Sequence, residues 1–164
     1  MKAFNIRLSN KNDFEEVFRI WLQSQKMATG NAIPSGDVQT LKSELHKLFY
    51  NTSRAIFYVA ETDPNTLVGW QALLPLLSNP LISEYTAQSS TYIDIEYYNN
   101  NVATKLLKYA ITDAKRLKIE HIYGWVKADN NAINEISSKF SKLKYSIPAS
   151  NNLPSFNLYI VEVK

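Results

Sequence analysis

The chain has 164 residues, 45% of them hydrophobic and 20% charged, and a formal net charge of +3. This length supplies one domain with a sizeable core, and the composition is that of a globular protein. The absence of cysteine excludes disulfides and thiolate chemistry, and with two histidines and no carboxylate cluster at ligand spacing we expect no metal site. No apolar run reaches the length of a membrane span, and no basic face with interleaved aromatic residues indicates nucleic-acid binding. We therefore expect a cytoplasmic protein that binds neither membrane nor nucleic acid.

The first third of the chain predicts one strand followed by two helices. The stretch AFNIRLS alternates as a strand, whereas residues 12–27 and 38–52 repeat apolar side chains at helical spacing. At the start of the first helix, Asn12 and Glu15 stand three residues apart, as in a capping box. A loop, residues 28–37 (ATGNAIPSGD), connects the two helices.

Strands and helices then alternate to the end of the chain. The turn signal TDPNT separates two apolar stretches, which predicts a hairpin from Arg54 to Leu77. The order β-α-α-β-β-β-α-β-α-β, without repeats or linkers, predicts a single α/β domain over residues 1–164, with a mixed sheet flanked by helices. The elements after the hairpin are a strand at 86–95, a helix at 102–117, a strand at 119–126, a helix at 131–140 and a strand at 155–163.

The stretch STYIDIEYYNNNVATKLLKYAI, residues 90–111, joins a strand to an amphipathic helix through three asparagines. The first N–H groups of a helix have no partner within it, and the helix dipole adds positive charge there, so this end favours a phosphate. Asparagine tolerates the left-handed backbone better than other non-glycine residues, so Asn101 can occupy a position usually given to glycine. Spacing alone leaves two interpretations open: an anion site, and a plain polar turn with asparagine as the helix cap.

Four stretches, in their order along the chain, resemble the GCN5-related N-acetyltransferase (GNAT) family, and above all its phosphinothricin acetyltransferase branch. The opening NIRLSNKNDFEEVFRIW is similar to the first strand and helix of that branch, and LVGWQALLPL is similar to its Val-Gly-Trp-Ala strand. The segment YTAQSSTYIDIEYYNNNVATKLL resembles its acetyl-coenzyme A motif, and VKADNNAINEI resembles its Asn-x-x-(Ala/Ser) segment. The resemblance covers nearly the whole chain and implies a GNAT-like fold with acetyl-coenzyme A as the co-substrate.

The resemblance implies a phosphate loop in which asparagine replaces glycine. The first two glycines of the family's run fall on Asn99 and Asn101, and the last falls on Ala103. Backbone N–H groups bind the phosphates in this family, so the missing glycines narrow the approach of the ligand without abolishing binding. The strand before the loop would pair with the pantetheine amides. The implied cofactor-binding residues are Thr91, Tyr92, Ile93, Tyr98, Asn99, Asn100, Asn101, Val102, Ala103, Thr104 and Asn130.

The acceptor side departs from the branch at Gln88. Relatives carry a glutamate at this position, assigned as the general base for the amine, whereas an amide cannot take a proton at neutral pH. The base would then be Asp94 or Glu96 acting through a water, or the amine would arrive already neutral. The alternative for Gln88 itself is a polar strand residue without a chemical role.

The resemblance also implies roles for three other side chains. Tyr145 is near the position of a tyrosine that protonates the leaving thiolate, and Trp70 and Gln71, with Gln88, are expected to bind the acceptor. Core packing is the alternative for Trp70. Two aromatic residues on the strand at 119–126 are expected in the core, Tyr123 and Trp125.

The implied function is transfer of acetyl from acetyl-coenzyme A to a primary amine of a small amino-acid-like acceptor. The C-terminal segment lacks the Gly-Arg-Trp-Leu-Asp stretch of the branch, so we expect an acceptor different from the branch's usual ones. One alternative is a degenerate acetyl-coenzyme A-binding or sensing protein with little turnover, favoured by Gln88 and the missing glycines. Another is a protein N-acetyltransferase, which requires that loop 28–37 leave room for a peptide. A homodimer is compatible with the branch, although no residue pattern indicates one.

Overall fold

The computed structural model describes residues 4–28, 38–51, 55–62, 66–76, 84–98, 101–151 and 153–164. None of the helices in these ranges is both long and apolar enough to cross a membrane. The helices are α1 (Phe14–Ala28), α2 (Val38–Tyr50), α3 (Val102–Arg116) and α4 (Asn131–Phe140). The strands are β1 (Asn5–Leu8), β2 (Ile56–Glu61), β3 (Leu67–Pro75), β4 (Thr86–Ile93), β5 (His121–Lys127), β6 (Leu143–Ile147) and β7 (Phe156–Glu162).

The strands form one mixed sheet in the order β1-β2-β3-β4-β5-β7-β6. Strand β1 is antiparallel to β2, β4 is parallel to β5, and β7 is antiparallel to both of its neighbours. The predicted α/β class and order of elements are confirmed, and β2 and β3 are adjacent, as the predicted hairpin requires. The structure adds strand β6, which the sequence patterns do not predict, because all five of its residues are exposed and it packs no buried stripe.

The chain divides into two compact units, which we describe separately. The first holds the described residues within Met1–Ala72 and Thr91–Ala110, and the second those within Leu73–Ser90 and Ile111–Lys164. The single domain expected over residues 1–164 stays a prediction.

Aromatic rings form a continuous core in the first unit. Phe49 lies 5.5 Å from Phe14 and 5.0 Å from Phe57 between ring centroids. Trp70 continues the series, 5.4 Å from Phe57 and 4.6 Å from Tyr92. Burying a large apolar side chain stabilises a fold by about 1.5–3 kcal/mol, so this series fixes β3 and the end of β4 against the first two helices.

Arg7 links β1 to β2 and to the turn before α1. Its guanidinium donates to the Asp13 carboxylate at 2.7 Å and to the Glu61 carboxylate at 2.8 Å. The hydrogen bonds to Asp13 and then to Glu61 raise the pKa of Arg7 above its ordinary value, despite the opposing effect of burial. Arg7 therefore stays charged, and it holds the N-terminal strand in register with the start of the first helix.

The capping box before α1 is formed by Asn10 and Asp13, so the prediction that Asn12 and Glu15 form it is wrong. The Asn10 side chain accepts a hydrogen bond from the Asn12 N–H at 2.9 Å, and the Asp13 carboxylate accepts one from the Asn10 N–H at 2.6 Å. In this stretch two asparagines are each followed three residues later by an acidic residue, Asn10 by Asp13 and Asn12 by Glu15. The carboxylate of Glu15 instead pairs with Lys42 on α2 at 2.7 Å.

Candidate active site

In the loop before α3, Asn101, the residue directly before the helix, has a left-handed backbone conformation. Asn101 has a φ of 60°, in the left-handed region, which confirms that it occupies a position typical of glycine. Its carbonyl accepts the N–H of Lys105 at 3.1 Å, so the helix begins directly after it. The first turn of α3 carries no acidic residue, so no carboxylate within that turn offsets the positive end of the helix dipole. Asn99 and Asn100 lie outside the described residues.

The chain entering this loop is held by α1. A 3-10 turn, Ile95–Tyr97, is capped by Asp94, whose carboxylate accepts the N–H of Glu96 at 3.1 Å. Asp94 is buried and also pairs with Arg19 at 2.7 Å. Burial alone would lower the pKa of Arg19, but the hydrogen bonds to Asp94 and Glu16 outweigh it and raise that pKa. Both Asp94 oxygens are therefore occupied by structural contacts, which argues against Asp94 as the missing base.

Tyr98 follows this turn and lies at the edge of the loop. Its N–H donates to the carbonyl of Ile95 at 3.3 Å, and its hydroxyl contacts the sulfur of Met27 at 3.8 Å. The side chain is 41% exposed. Tyr98 is thus anchored at its hydroxyl end while one side of its ring is open to solvent.

The side chains at the end of β4 are committed to packing. Thr91 donates its hydroxyl to the Gln71 side chain, the Tyr92 ring packs on Trp70, and Ile93 is buried. Burial raises the pKa of Tyr92, and a hydrogen bond with Trp21 opposes that rise. Because these side chains are occupied within the first unit, any contribution of this segment to ligand binding would come from its backbone.

Trp70 and Gln71, both expected to bind the acceptor, are buried in the first unit. Trp70 is 2% exposed and donates its indole N–H to the carbonyl of Val17 at 3.0 Å. Gln71 is fully buried, and its amide donates to the carbonyl of Ala72 at 3.1 Å. This burial favours core packing for Trp70, the alternative interpretation of the sequence, and gives Gln71 a role in fixing Thr91.

Gln88 lies in the second unit, in a parallel ladder that ends early. The ladder pairs Thr86 with His121 and continues through Gln88 opposite Tyr123 to Ser89 opposite Gly124. Within this unit β5 continues to Lys127, pairing with β7 throughout, yet its ladder with β4 ends at Gly124. Directly opposed residues share a face of the sheet, so the half-buried side chains of Gln88 and Tyr123 are neighbours.

Tyr145 does not lie beside Gln88. Tyr145 is on β6 opposite Leu158 of β7, and strands β5 and β7 stand between β6 and β4. At the usual strand spacing this separates Tyr145 from Gln88 by about 14 Å. The structure therefore does not bring together the two predicted catalytic residues, and the catalytic role of Tyr145 stays a prediction that the register disfavours.

Sequence reasoning misplaced one aromatic residue of β5 and missed the partner of another. Trp125 is 46% exposed, so its expected core position is wrong, and Tyr123, which was assigned to the core, is the direct neighbour of Gln88. No local signal could have revealed this pairing, because the two residues meet only through the register of strands 35 positions apart.

Asn130 caps helix α4, at the turn that follows β5. Its side-chain oxygen accepts the N–H of Ile133 at 3.3 Å, so a structural role accounts for that oxygen. Its amide nitrogen makes no hydrogen bond within the described part of the chain, and the residue is exposed. The predicted cofactor contact of Asn130 would therefore use this amide nitrogen.

Asn134, which the sequence analysis does not single out, holds the same turn in place. Its amide nitrogen donates to the carbonyls of Asn130 at 2.8 Å and Lys127 at 2.9 Å. Its oxygen accepts the Asn157 amide and the Tyr159 hydroxyl, each at 2.8 Å. This network connects the turn at Asn130 to strand β7, where the Asn157 and Tyr159 side chains are buried.

The comparisons with known proteins identify the family. A model described as the acetyltransferase (GNAT) family matches residues 16–135, well over half of the chain. The chain therefore belongs to the GNAT family, whose members are acetyltransferases with acetyl-coenzyme A as the co-substrate. A comparison with curated proteins gives no match.

Solved structures share this fold over nearly their whole length. A candidate phosphinothricin N-acetyltransferase is 22% identical with a TM-score of 0.73, covering 99% of both chains. An N-acetyltransferase from Staphylococcus aureus Mu50 is 17% identical with a TM-score of 0.79, also covering 99% of both chains. The candidate acetyltransferase yncA from Salmonella typhimurium, solved with acetyl-CoA, is 15% identical with a TM-score of 0.76, covering 99% of this chain and 95% of that one. Identities this low establish the fold alone.

Proposed function

We propose that this protein transfers the acetyl group of acetyl-coenzyme A to the primary amine of a small amino-acid-like acceptor. The observation that carries the proposal is the left-handed Asn101 directly before α3. That conformation, with no acidic residue in the first helical turn, suits the pyrophosphate of the coenzyme. The side chains after Asn101 also fit, because Val102 is buried and the half-buried Ala103 and Thr104 are small.

The remaining coenzyme contacts are proposed from the backbone and from one side chain. The segment Thr91–Ile93, whose side chains are occupied, would offer its peptide groups to the pantetheine amides. Asn130 would offer the amide nitrogen that its cap does not use. When bound, the coenzyme supplies an activated thioester, and the gain from the protein is mainly the positioning of that group against the amine.

Gln88 and Tyr123 are the residues we propose for the acceptor side. The Gln88 oxygen can accept a hydrogen bond from the amine and orient it, although it cannot take the proton. The phenol of Tyr123, opposite Gln88 in the ladder, can hold the proton that the leaving sulfur requires. The register thereby favours Tyr123 over Tyr145 as the acid.

The second candidate function is binding or sensing of acetyl-coenzyme A with little turnover. Gln88, at the position where the related branch carries glutamate, favours it, because no carboxylate at that position can take the proton from the amine. A protein acceptor would depend on loop 28–37, most of which lies outside the described residues. The small-molecule acceptor is the leading proposal because of the resemblance of the chain to the phosphinothricin acetyltransferase branch.

The test begins with coenzyme binding and a matched pair of backbone variants. Among the described residues, Asn101 and Lys118 both have a φ of 60° and neither is glycine. A β-branched residue is strained there, so Asn101→Val and Lys118→Val should cost similar stability. Only Asn101→Val should weaken acetyl-coenzyme A binding, by about ten-fold or more, whereas Asn101→Gly should retain it. Equal affinities of the two valine variants would contradict the phosphate site.

Turnover then separates the two functions. Thiol release with acetyl-coenzyme A is measured across a panel of amino acids, amino-acid analogues and peptides. Release with a small amine supports the acetyltransferase, whereas thermal stabilisation by the coenzyme without release on any amine supports the sensor. Absence of stabilisation at millimolar coenzyme would refute both functions.

A further inference from the structure

Three side chains on one stripe of α1 contact the segment that leads into the loop before α3. They are Arg19, Gln23 and Met27, and residues four positions apart are neighbours on one face of a helix. We call these three residues the α1 clamp. The segment that they contact is residues 94–98, which belongs to the same compact unit as α1 and comes shortly before Asn101.

The contacts of the α1 clamp follow the segment in order. The Arg19 guanidinium pairs with the Asp94 carboxylate at 2.7 Å. The side-chain oxygen of Gln23 accepts the N–H of Ile95 at 3.2 Å. The methionine of the clamp has its sulfur 3.8 Å from the Tyr98 hydroxyl. Each further turn of the helix therefore meets a later residue of the segment, so the two run alongside each other.

Asp94 makes the strongest of these contacts. Its side chain is 9% exposed, and a buried carboxylate is stable only where a positive charge and hydrogen bonds replace its water. Arg19 supplies the charge, and the N–H of Glu96 donates to the other carboxylate oxygen at 3.1 Å. The N–H of Asp94 itself donates to the carbonyl of Val68 on β3 at 3.0 Å. Helix α1, strand β3 and the turn before the loop are therefore joined at this one residue.

After Asp94 the segment gains little from burial. Ile95 is 45% exposed and Tyr98 is 41% exposed. The N–H of Tyr97 donates to the Asp94 carbonyl at 2.9 Å, and that of Tyr98 donates to the Ile95 carbonyl at 3.3 Å. These two hydrogen bonds lie within the segment and cannot attach it to its surroundings. The α1 clamp therefore supplies an attachment that burial of the segment does not provide.

We propose that Arg19 is a positioning residue for coenzyme binding, acting through Asp94 on the backbone at Asn101. This role rests on the proposed function, in which the phosphates of the coenzyme bind at the start of α3. Backbone donors bind a ligand well only when their surroundings hold them close to one geometry. Without Arg19 the buried Asp94 carboxylate loses its counter-charge, so the turn that it caps shifts and the loop enters α3 in a poorer position.

A direct attraction between Arg19 and the phosphates is the alternative, and the two roles predict opposite effects at Asp94. Asp94→Asn removes the negative charge but keeps a side-chain oxygen for the cap, where asparagine serves as well as aspartate. If Arg19 acted on the phosphates directly, removal of a nearby negative charge would strengthen coenzyme binding. If Arg19 acts through Asp94, the same variant breaks the ion pair and weakens binding.

Calorimetric titration with acetyl-coenzyme A measures these effects. Arg19→Met keeps a long side chain that favours helix, and it should weaken coenzyme binding about five- to ten-fold. Asp94→Asn should weaken it by a similar factor, and the double variant should bind no worse than the weaker single variant, since both changes break one interaction. Arg19→Lys retains the charge that Asp94 requires and should recover most of the affinity.

The matched control is Arg7→Met, which breaks a second ion pair of the same kind in the same unit. Arg7 lies 2.7 Å from the Asp13 carboxylate, whose side chain is 6% exposed. Each arginine also contacts another carboxylate, Glu61 in the case of Arg7 and Glu16 in the case of Arg19. The two methionine variants should therefore lose similar stability in urea, but Arg7→Met should bind the coenzyme as the wild type does.

The outcomes separate this role from the proposed function. Equal coenzyme affinities of Arg19→Met and Arg7→Met would overturn the positioning role and leave the proposed function intact. Tighter binding by Asp94→Asn would do the same, because it would show that Arg19 acts on the phosphates directly. A wild type that does not bind the coenzyme would overturn the proposed function and the positioning role together.

Discussion

Gly69 on β3 sits where no side chain fits, and this predicts a sharp difference between two glycines. A Cβ at Gly69 would lie 2.7 Å from Cδ1 of Ile93 and 3.0 Å from the carbonyl oxygen of Tyr92. A Cβ at Gly124 on β5 would meet nothing within 4 Å. The first position therefore maintains the close approach of β3 to the end of β4, and the second does not.

The magnitude follows from these distances. Gly69→Ala must displace the Ile93 methyl and also shift the Tyr92 peptide, which is backbone and yields little, so it should cost about 1–3 kcal/mol. Gly124→Ala should be neutral or stabilise by about 0.5–1 kcal/mol, because alanine loses less conformational freedom in a strand than glycine. The double variant Gly69→Ala with Ile93→Val removes the closest atom and should recover part of the loss.

Urea denaturation of the three variants and the wild type measures these free energies. Coenzyme titration in parallel should show weaker binding for Gly69→Ala and unchanged binding for Gly124→Ala, since only the former moves the segment proposed to pair with pantetheine. Equal stability of the two single variants would refute the reasoning from the distances. Lost stability with unchanged coenzyme affinity would refute the role proposed for the Thr91–Ile93 backbone.

Three further predictions concern the Asn134 network, alkaline pH and the missing base. Asn134→Ala should cost about 2–4 kcal/mol in urea, because the buried Asn157 amide and Tyr159 hydroxyl both lose a partner, whereas Tyr159→Phe, which removes one bond, should cost about 1 kcal/mol. Equal losses would contradict the network. Burial raises the pKa of Tyr92, so the folded state holds the phenol proton more tightly than the unfolded state does. The stability that this difference contributes is complete below the ordinary pKa of 10.0 and is lost as the pH rises above it. Tyr92→Phe should flatten the alkaline fall in thermal melts, and an unchanged slope would show that Tyr92 does not cause it. Gln88→Glu should raise thiol release about ten-fold or more, with a new ascending limb in the pH profile, since a carboxylate can take the proton; no gain would mean that a missing base does not limit the rate.

The backbone at the start of α3 and the bounds of α4 could be predicted from local sequence because their requirements are local. Asn101 has the left-handed backbone that asparagine tolerates, and α3 begins beside it as the periodicity predicts. Helix α4 has the predicted bounds for the same reason, since its pattern and its cap at Asn130 lie within one short stretch. Such features depend on residues within a turn or two of each other, and distant packing does not override them.

The acceptor side could not be predicted in this way, because register decides it. The resemblance assigns Tyr145 as the acid from its place along the chain, but the inclusion of β6 as the outermost strand carries Tyr145 away from Gln88. The same sheet exposes Trp125 and sets Tyr123 beside Gln88, although Tyr123 and Trp125 appear alike in sequence, as aromatic residues of one apolar strand. A one-residue shift in the ladder of β4 with β5 would turn Tyr123 to the opposite face. The acceptor chemistry that we propose therefore depends on a pairing that no single stretch of the sequence contains. Comparing Tyr123→Phe with Tyr145→Phe in thiol release decides between the acid that the resemblance implies and the acid that the register favours.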